Sequence, residues 1–180
     1  YAEMAGKEGK SNEQVWASDG LAAWTTSAST DGTRAAISVN GALYTVRGRS
    51  IYSYDAAGNE TRIGGIASDA PVTMARNRRA SPQIGIVSQD GQYVVIDGGV
   101  ASDYSSILRG GANSICSVAG YFVFTHSDGS VSHTQEDNAT SVDLLAYGLA
   151  ESSADPAIRG LPKQGEVVAF GTKSIDFFAN

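Results

Sequence analysis

A chain of 180 residues and 18.7 kDa has the size of one domain, and 42% apolar residues are enough to build a hydrophobic core. Its 13 basic and 19 acidic residues give a formal charge of −6, which argues against a surface built to hold nucleic-acid phosphates tightly. Cys116 is the single cysteine, so no intrachain disulfide can form. It lies in an apolar run, and we therefore expect a buried thiol. No apolar run approaches the roughly 18 to 20 residues that span a bilayer, so we expect no membrane contact.

The two ends of the chain differ in pattern from its middle. Residues 1–30 are predicted to form an extended N-terminal arm, and residues 31–180 a set of β-sheets. The chain closes on "GTKSIDFFAN", which has the pattern of a strand that stops before its turn. We therefore expect a single β domain over residues 1–180 that is the N-terminal fragment of a longer polypeptide.

The first strands are predicted in "RAAISVNGALYTVRGRSIYSYDAAGNETRIG", where apolar and polar residues alternate. Asn40-Gly41 and Arg47-Gly48 have the chemistry of tight turns, because glycine adopts the positive φ that such turns require. This stretch predicts a meander of at least three strands, with a fourth strand near Thr61 to Ile63.

Three later segments repeat the alternation of strand and glycine turn: "PQIGIVSQDGQYVVIDGG", "NSICSVAGYFVFTHSDGSVSHTQ" and "GEVVAFGTKSIDFFAN". The turn glycines Gly41, Gly91, Gly120 and Gly165 are 50, 29 and 45 residues apart (91−41, 120−91, 165−120). Two of these intervals suit four-stranded propeller blades of roughly 40 to 50 residues, and the middle interval does not. In "SVDLLAYGLAESSADP", three leucines have near-helical spacing, but Pro156 and the Ser/Asp-rich tail are equally consistent with a short turn or a strand edge. The predicted fold is all-β, with antiparallel meanders in a partial β-propeller-like architecture, and the alternative is a β-sandwich or barrel.

Few residues indicate catalytic chemistry. His126 and His133 flank a predicted hairpin with Asp128, and Asp128, Glu136 or Asp137 could complete a metal site. We favour the simpler interpretation, in which both histidines are solvated side chains at exposed strand ends. The chain lacks G-x-S-x-G, "AGKEGKS" departs from a phosphate-binding loop, and the acids in "QED" and "ESSAD" are interpreted as solvated. We predict no catalytic residue, no metal and no cofactor.

One basic cluster, "ARNRRASP", contains Arg76, Arg78 and Arg79. It is either a solubilising surface turn or a docking contact with an acidic neighbour or DNA, because arginine pairs bidentately with carboxylate and phosphate. We therefore name these three residues as the candidate interface. Trp16 and Trp24 are predicted to be packing anchors rather than ligand platforms.

The order of several segments along the whole chain resembles one protein family. These segments include "YAEMAGKEGK", "DGLAAWTT", the meander quoted above, "VTMARN", "VAGYFVFTHSDGSVSHTQEDNATSVDLLAYGLAESSADP" and "VVAFGTKSIDFFAN". They are similar to the packaged-DNA stabilisation proteins of short-tailed bacteriophages and prophages, also called tail accessory factors or nozzle proteins. Members of that family are typically longer, so the resemblance is to their N-terminal part.

The resemblance implies a non-enzymatic virion protein of the tail or head-closure complex, made in the bacterial host cytoplasm. Several copies would form a homo-oligomeric ring below the portal, retain the packaged DNA and form part of the ejection conduit. The implied partners are the portal or connector, other tail proteins and, transiently and without sequence specificity, double-stranded DNA. The alternative, from a different class, is a β-domain that binds or hydrolyses carbohydrate, since propellers and sandwiches also support those functions.

Overall fold

The computed structural model describes residues 2–4, 13–15, 23–149 and 155–178. The backbone of β1 (Ala2–Met4) pairs antiparallel with that of β2 (Glu13–Val15) in a two-stranded sheet. The glycine-rich "AGKEGKS" segment and Trp16 lie outside the described residues, and the division of the chain at residue 30 stays a prediction.

Four antiparallel sheets follow, and each connects its strands in simple sequence order. The first sheet contains β3 (Thr33–Val39), β4 (Ala42–Arg47), β5 (Ser50–Tyr54) and β6 (Glu60–Gly65). The second contains β7 (Val72–Arg76), β8 (Ile84–Ser88), β9 (Tyr93–Asp97) and β10 (Val100–Asp103). The third contains β11 (Ala112–Val118), β12 (Tyr121–His126), β13 (Ser130–Gln135) and β14 (Asn138–Leu149). The fourth has three strands among the described residues: β15 (Ala157–Lys163), β16 (Glu166–Gly171) and β17 (Ile175–Phe178).

The first hairpins of the first, third and fourth sheets share one turn type. Both central residues have positive φ: 50° and 79° at Asn40-Gly41, 51° and 94° at Ala119-Gly120, and 49° and 91° at Gln164-Gly165. Two successive left-handed residues match the right-handed twist of the flanking strands, which is why these turns close two-residue hairpins. The hairpins predicted at Gly41 and Gly120 are confirmed, and Gly165 lies in a turn as predicted.

The irregular spacing of the turn glycines has a structural cause. In the second sheet, β7 and β8 are joined by a loop over residues 77–83, and Gly91 lies in the turn between β8 and β9 instead. Gly91 is therefore not equivalent to the other three turn glycines. Measured from the first residue of each sheet, the repeats are 39, 40 and 45 residues long (72−33, 112−72, 157−112), close to the length expected of propeller blades.

The four sheets stack face to face with their first strands inside. β3 contacts β7, β7 contacts β11, and β11 contacts β15. A separate apolar core fills each gap between neighbouring sheets. Tyr93 and Phe124 meet edge to face in the middle core, with ring centroids 4.9 Å apart. This radial stack of antiparallel meanders, three of them four-stranded, is the predicted partial β-propeller-like architecture, and the sandwich alternative is wrong.

Several details of the strands could not be predicted from the pattern. β7, β10 and β15 were not predicted, and β15 contains Pro162. The "SVDLLAYGLA" segment belongs to β14, which is interrupted by a bulge: Thr134 pairs with Val142 and Ser132 with Tyr147. In the described ranges the only helical element is a 3-10 turn at Ser105–Ile107, and no helix there is long and apolar enough to cross a membrane.

Residues ahead of the first sheet pack against its strands and turns. Trp24 lies 6.2 Å from Tyr54 between ring centroids, and Thr25 donates a hydrogen bond to the Gly58 carbonyl. The Arg47 guanidinium donates hydrogen bonds to the Asp31 carbonyl oxygen. Trp24 is thus a packing residue, as predicted, although about half of it (51%) is exposed.

Candidate functional site

The structure separates the three arginines of the predicted interface. Arg76 ends β7, whereas Arg78 and Arg79 lie in the loop over residues 77–83. The Arg78 guanidinium is 2.7 Å from the Glu136 carboxylate, and its backbone N–H donates to Asp137 Oδ1 at 2.9 Å. Arg79 lies 3.6 Å from Asp97. Arg78 therefore joins the loop to the third sheet and Arg79 joins it to its own sheet, through exposed ion pairs that typically stabilise by less than about 1 kcal/mol.

A buried pair of amides fixes the base of this loop. The Asn77 and Gln83 side chains are 1% and 3% exposed, and they bond to each other through Asn77 Nδ2 and Gln83 Oε1 at 3.0 Å. Gln83 Oε1 also accepts the backbone N–H of Ala139 in β14 at 2.8 Å. Because these groups are dry, their bonds add more to the position of the loop than the exposed ion pairs do.

Arg76 lies in a different environment, a groove formed by the first strands of three sheets. We call it the inner groove, and its volume is about 270 Å³. Arg159 lines the same groove from β15. The remaining lining residues come from β7, β11 and β15: Thr73, Met74, Ala75, Ile115, Cys116, Ser117, Gly160, Leu161 and Pro162.

The Cys116 thiol is buried, as predicted, and it is not a reactive group. The residue is 6% exposed, and burial raises the pKa of its thiol to about 12. A thiol that stays protonated at neutral pH is a weak nucleophile and a poor metal ligand.

The two histidines do not form a joint site. His133 pairs with Val123 across β12 and β13, so His126, three positions from Val123, faces the opposite side of the sheet. His133 is exposed and stacks edge-on against Tyr121 at 5.5 Å. Within the described ranges, no group of three His, Cys, Asp or Glu side chains is arranged to hold a metal ion.

The expectation that both histidines are solvated is wrong for His126. It is 3% exposed, and its Nε2 lies 2.7 Å from Ser132 Oγ. Burial lowers the pKa of His126, and the positive charge of Arg109 also lowers it, while Asp128 acts in the opposite direction.

Asp155 of the "ESSAD" segment is also buried rather than solvated. Its carboxylate accepts the Thr172 hydroxyl and the backbone N–H groups of Lys173 and Ser174, the latter two at 2.6 and 3.0 Å. These donors, the Thr172 hydroxyl first, lower the pKa of Asp155. The carboxylate is thereby committed to the turn between β16 and β17, and its role is structural.

The stacked antiparallel sheets with clustered first strands define a protein of the β-propeller class. Its described loops hold ion pairs and turn-stabilising carboxylates. The sequence matches, over residues 4–180, the family model for phage stabilisation proteins described as bacteriophage P22 Gp10, beta-propeller. The chain belongs to this family, as its resemblance predicted.

Solved structures show the same fold at low sequence identity. BamB from Moraxella catarrhalis has a TM-score of 0.60 and 12% identity, with 81% of this chain and 43% of BamB covered. The computationally designed Ika4 protein has a TM-score of 0.65 and 11% identity, with 89% of this chain and 99% of Ika4 covered. Virginiamycin B lyase from Staphylococcus aureus has a TM-score of 0.62 and 11% identity, with 85% of this chain and 57% of the lyase covered. This chain spans less than half of BamB, and at these identities the likeness is one of fold. No curated protein matched the sequence.

Proposed function

We propose that this chain is a structural protein of the bacteriophage virion, in the tail or head-closure complex. Several copies form a ring below the portal, retain the packaged DNA and form part of the conduit through which it is ejected. The observation that carries this proposal is the family match over residues 4–180 of a chain that folds into propeller sheets. The proposed role is non-enzymatic, and the proposed partners are the portal or connector and other tail proteins.

The net charge of the chain and the pairing of its arginines suit passing contact with DNA. The chain has a net charge of −6, and Arg78 and Arg79 are already paired with carboxylates of the same chain. Phosphate binding depends on cationic side chains that replace counterions, so paired arginines on an acidic protein attract DNA weakly. We propose that double-stranded DNA passes this protein without sequence-specific contacts. An interface role for the cluster of Arg76, Arg78 and Arg79 also stays a proposal.

Immunogold electron microscopy tests the location in the virion. Antibody raised against this chain is applied to particles released from an induced culture of the source, with pre-immune serum as the control. We expect gold at a single vertex, at the junction of head and tail. Intact particles without label, together with antigen that stays wholly in the soluble fraction, would contradict the proposal.

Deletion of the gene tests the role in DNA retention. We expect particles that package DNA and then lose it, visible as empty heads beside normal shells, and we expect full heads to return when the gene is supplied from a plasmid. Deletion particles that keep their DNA as well as wild-type particles do would refute this part of the proposal.

A further inference from the structure

The inner groove contains two arginines that nothing else in the described chain neutralises. The sequence has nine arginines, and the structure describes all of them. Seven have a hydrogen bond or an ion pair within the chain: Arg34, Arg47, Arg49, Arg62, Arg78, Arg79 and Arg109. Arg76 and Arg159 have neither among the described residues, and both line the inner groove.

The position of these two arginines on the strands makes the groove a cationic cleft. Arg76 is on β7 and Arg159 is on β15, and β11 lies between these strands and contacts both. The two arginines therefore line the groove from strands on opposite sides of β11. In a protein of net charge −6, these two cations, neither of which has an ion pair among the described residues, make the groove locally positive.

The floor of the groove offers few competing groups. Thr73 Oγ1 already accepts the Ile115 N–H at 2.9 Å, and the Gly160 N–H is bonded to Ser114 at 2.9 Å. Ser117 is partly buried beside the arginines, and its hydroxyl makes no hydrogen bond in the described part of the chain. Among the residues that the structure describes, no carboxylate lines the groove. The groups left to bind a ligand there are the two guanidinium forks and the hydroxyls of Ser117 and Thr73, because Thr73 Oγ1 uses only a lone pair for Ile115. All of them can donate hydrogen bonds.

We propose that the inner groove binds a small oxyanion of the phosphate class. Guanidinium forks bind oxygen pairs bidentately, and a tetrahedral anion presents such pairs on opposite sides at once. The volume of about 270 Å³ holds a phosphate together with bridging water. Both arginines are exposed, so the interaction is weakened by salt. This site does not depend on the proposed role in the virion.

Phosphate titration of the full chain tests the site. Binding is measured by calorimetry and by the shift of the melting temperature in a low-salt, phosphate-free buffer, with sodium chloride of equal ionic strength as the reference. We expect phosphate to raise the melting temperature more than chloride does. We expect Arg76→Gln and Arg159→Gln each to weaken phosphate binding by about tenfold, and the double variant to lose it.

Arg62→Gln is the matched control, because Arg62 is exposed, lies outside the groove and makes one bond, to Ser50. It should bind phosphate as the wild type does. Substituting Arg76 or Arg159 removes no hydrogen bond or ion pair within the described ranges, so circular dichroism should show all variants folded. A shift no larger than that of chloride, a shift kept by the double variant, or binding of a short DNA duplex without binding of phosphate would each overturn the proposal.

Discussion

Replacing Gln83 by alanine tests how the second and third sheets are held together. The buried Gln83 side chain accepts the Ala139 N–H at 2.8 Å and the Asn77 Nδ2–H at 3.0 Å, and it donates to Asp97 at 2.7 Å. Alanine removes all three bonds. Two of the three groups that lose a partner are dry, since Ala139 is 0% and Asn77 1% exposed.

The expected cost follows from the burial of each orphaned group. A buried donor left without a partner costs about 1 to 3 kcal/mol, so the Ala139 N–H and the Asn77 amide together cost about 2 to 6 kcal/mol. The bond to Asp97 adds little, because that carboxylate is half exposed and water replaces the lost donor. A loss of this size is a large part of the roughly 5 to 15 kcal/mol that stabilises a typical domain.

Urea unfolding followed by circular dichroism measures the loss, and Gln92→Ala is its control. Gln92 also accepts a backbone N–H, from Ala67 at 2.6 Å, and donates to a carboxylate, Asp103, at 2.8 Å, but these groups are accessible to solvent. Gln92→Ala should cost less than about 1 kcal/mol, because water satisfies both partners. Equal losses in the two variants would refute the argument that burial decides the cost.

Three further predictions follow from buried or strained residues. The folded state lowers the pKa of His126, so the stability that the neutral side chain contributes is present above the unfolded pKa of about 6.5 and is lost as pH falls below that value. The urea midpoint of the wild type should therefore fall more between pH 7 and pH 5 than the midpoint of His126→Gln does. Parallel pH curves for the two proteins would contradict this prediction. Because Cys116 is buried and its thiol pKa is raised, it should not react with a thiol reagent at pH 8 in the folded protein, and it should react once the protein is unfolded. Rapid reaction in native buffer would show that the thiol is accessible. Gly129→Ala should destabilise the protein by about 1 to 3 kcal/mol, because φ at Gly129 is +83° and the new Cβ would lie 2.8 Å from the Asp155 carbonyl oxygen. Gly98→Ala is the control, since φ there is +58° but the space around the new Cβ is open, and it should cost less. An equal cost in the two variants would exclude the close contact as the cause.

The hairpins were predictable because their signals are local. Two-residue periodicity places alternate side chains on opposite faces, and turns such as Asn40-Gly41 reverse the chain through the conformations of two residues. The strands that were missed lack such a signal: β7 ends in a seven-residue loop, and β15 contains Pro162. The family resemblance also required only the order of segments along the chain, and the family match confirms it.

The sequence by itself therefore determined an all-β chain of antiparallel hairpins, a buried thiol at Cys116 and membership of a phage protein family. Only the tertiary structure decided which turns are equivalent, that His126 is buried, and that Arg78 is paired while Arg76 shares a groove with Arg159. The physical reason is the range of the interactions. A turn depends on neighbours in sequence, whereas burial and ion pairing depend on which sheets pack together. Arg76 and Arg159 line one groove formed by three sheets, although 83 positions separate them (159−76).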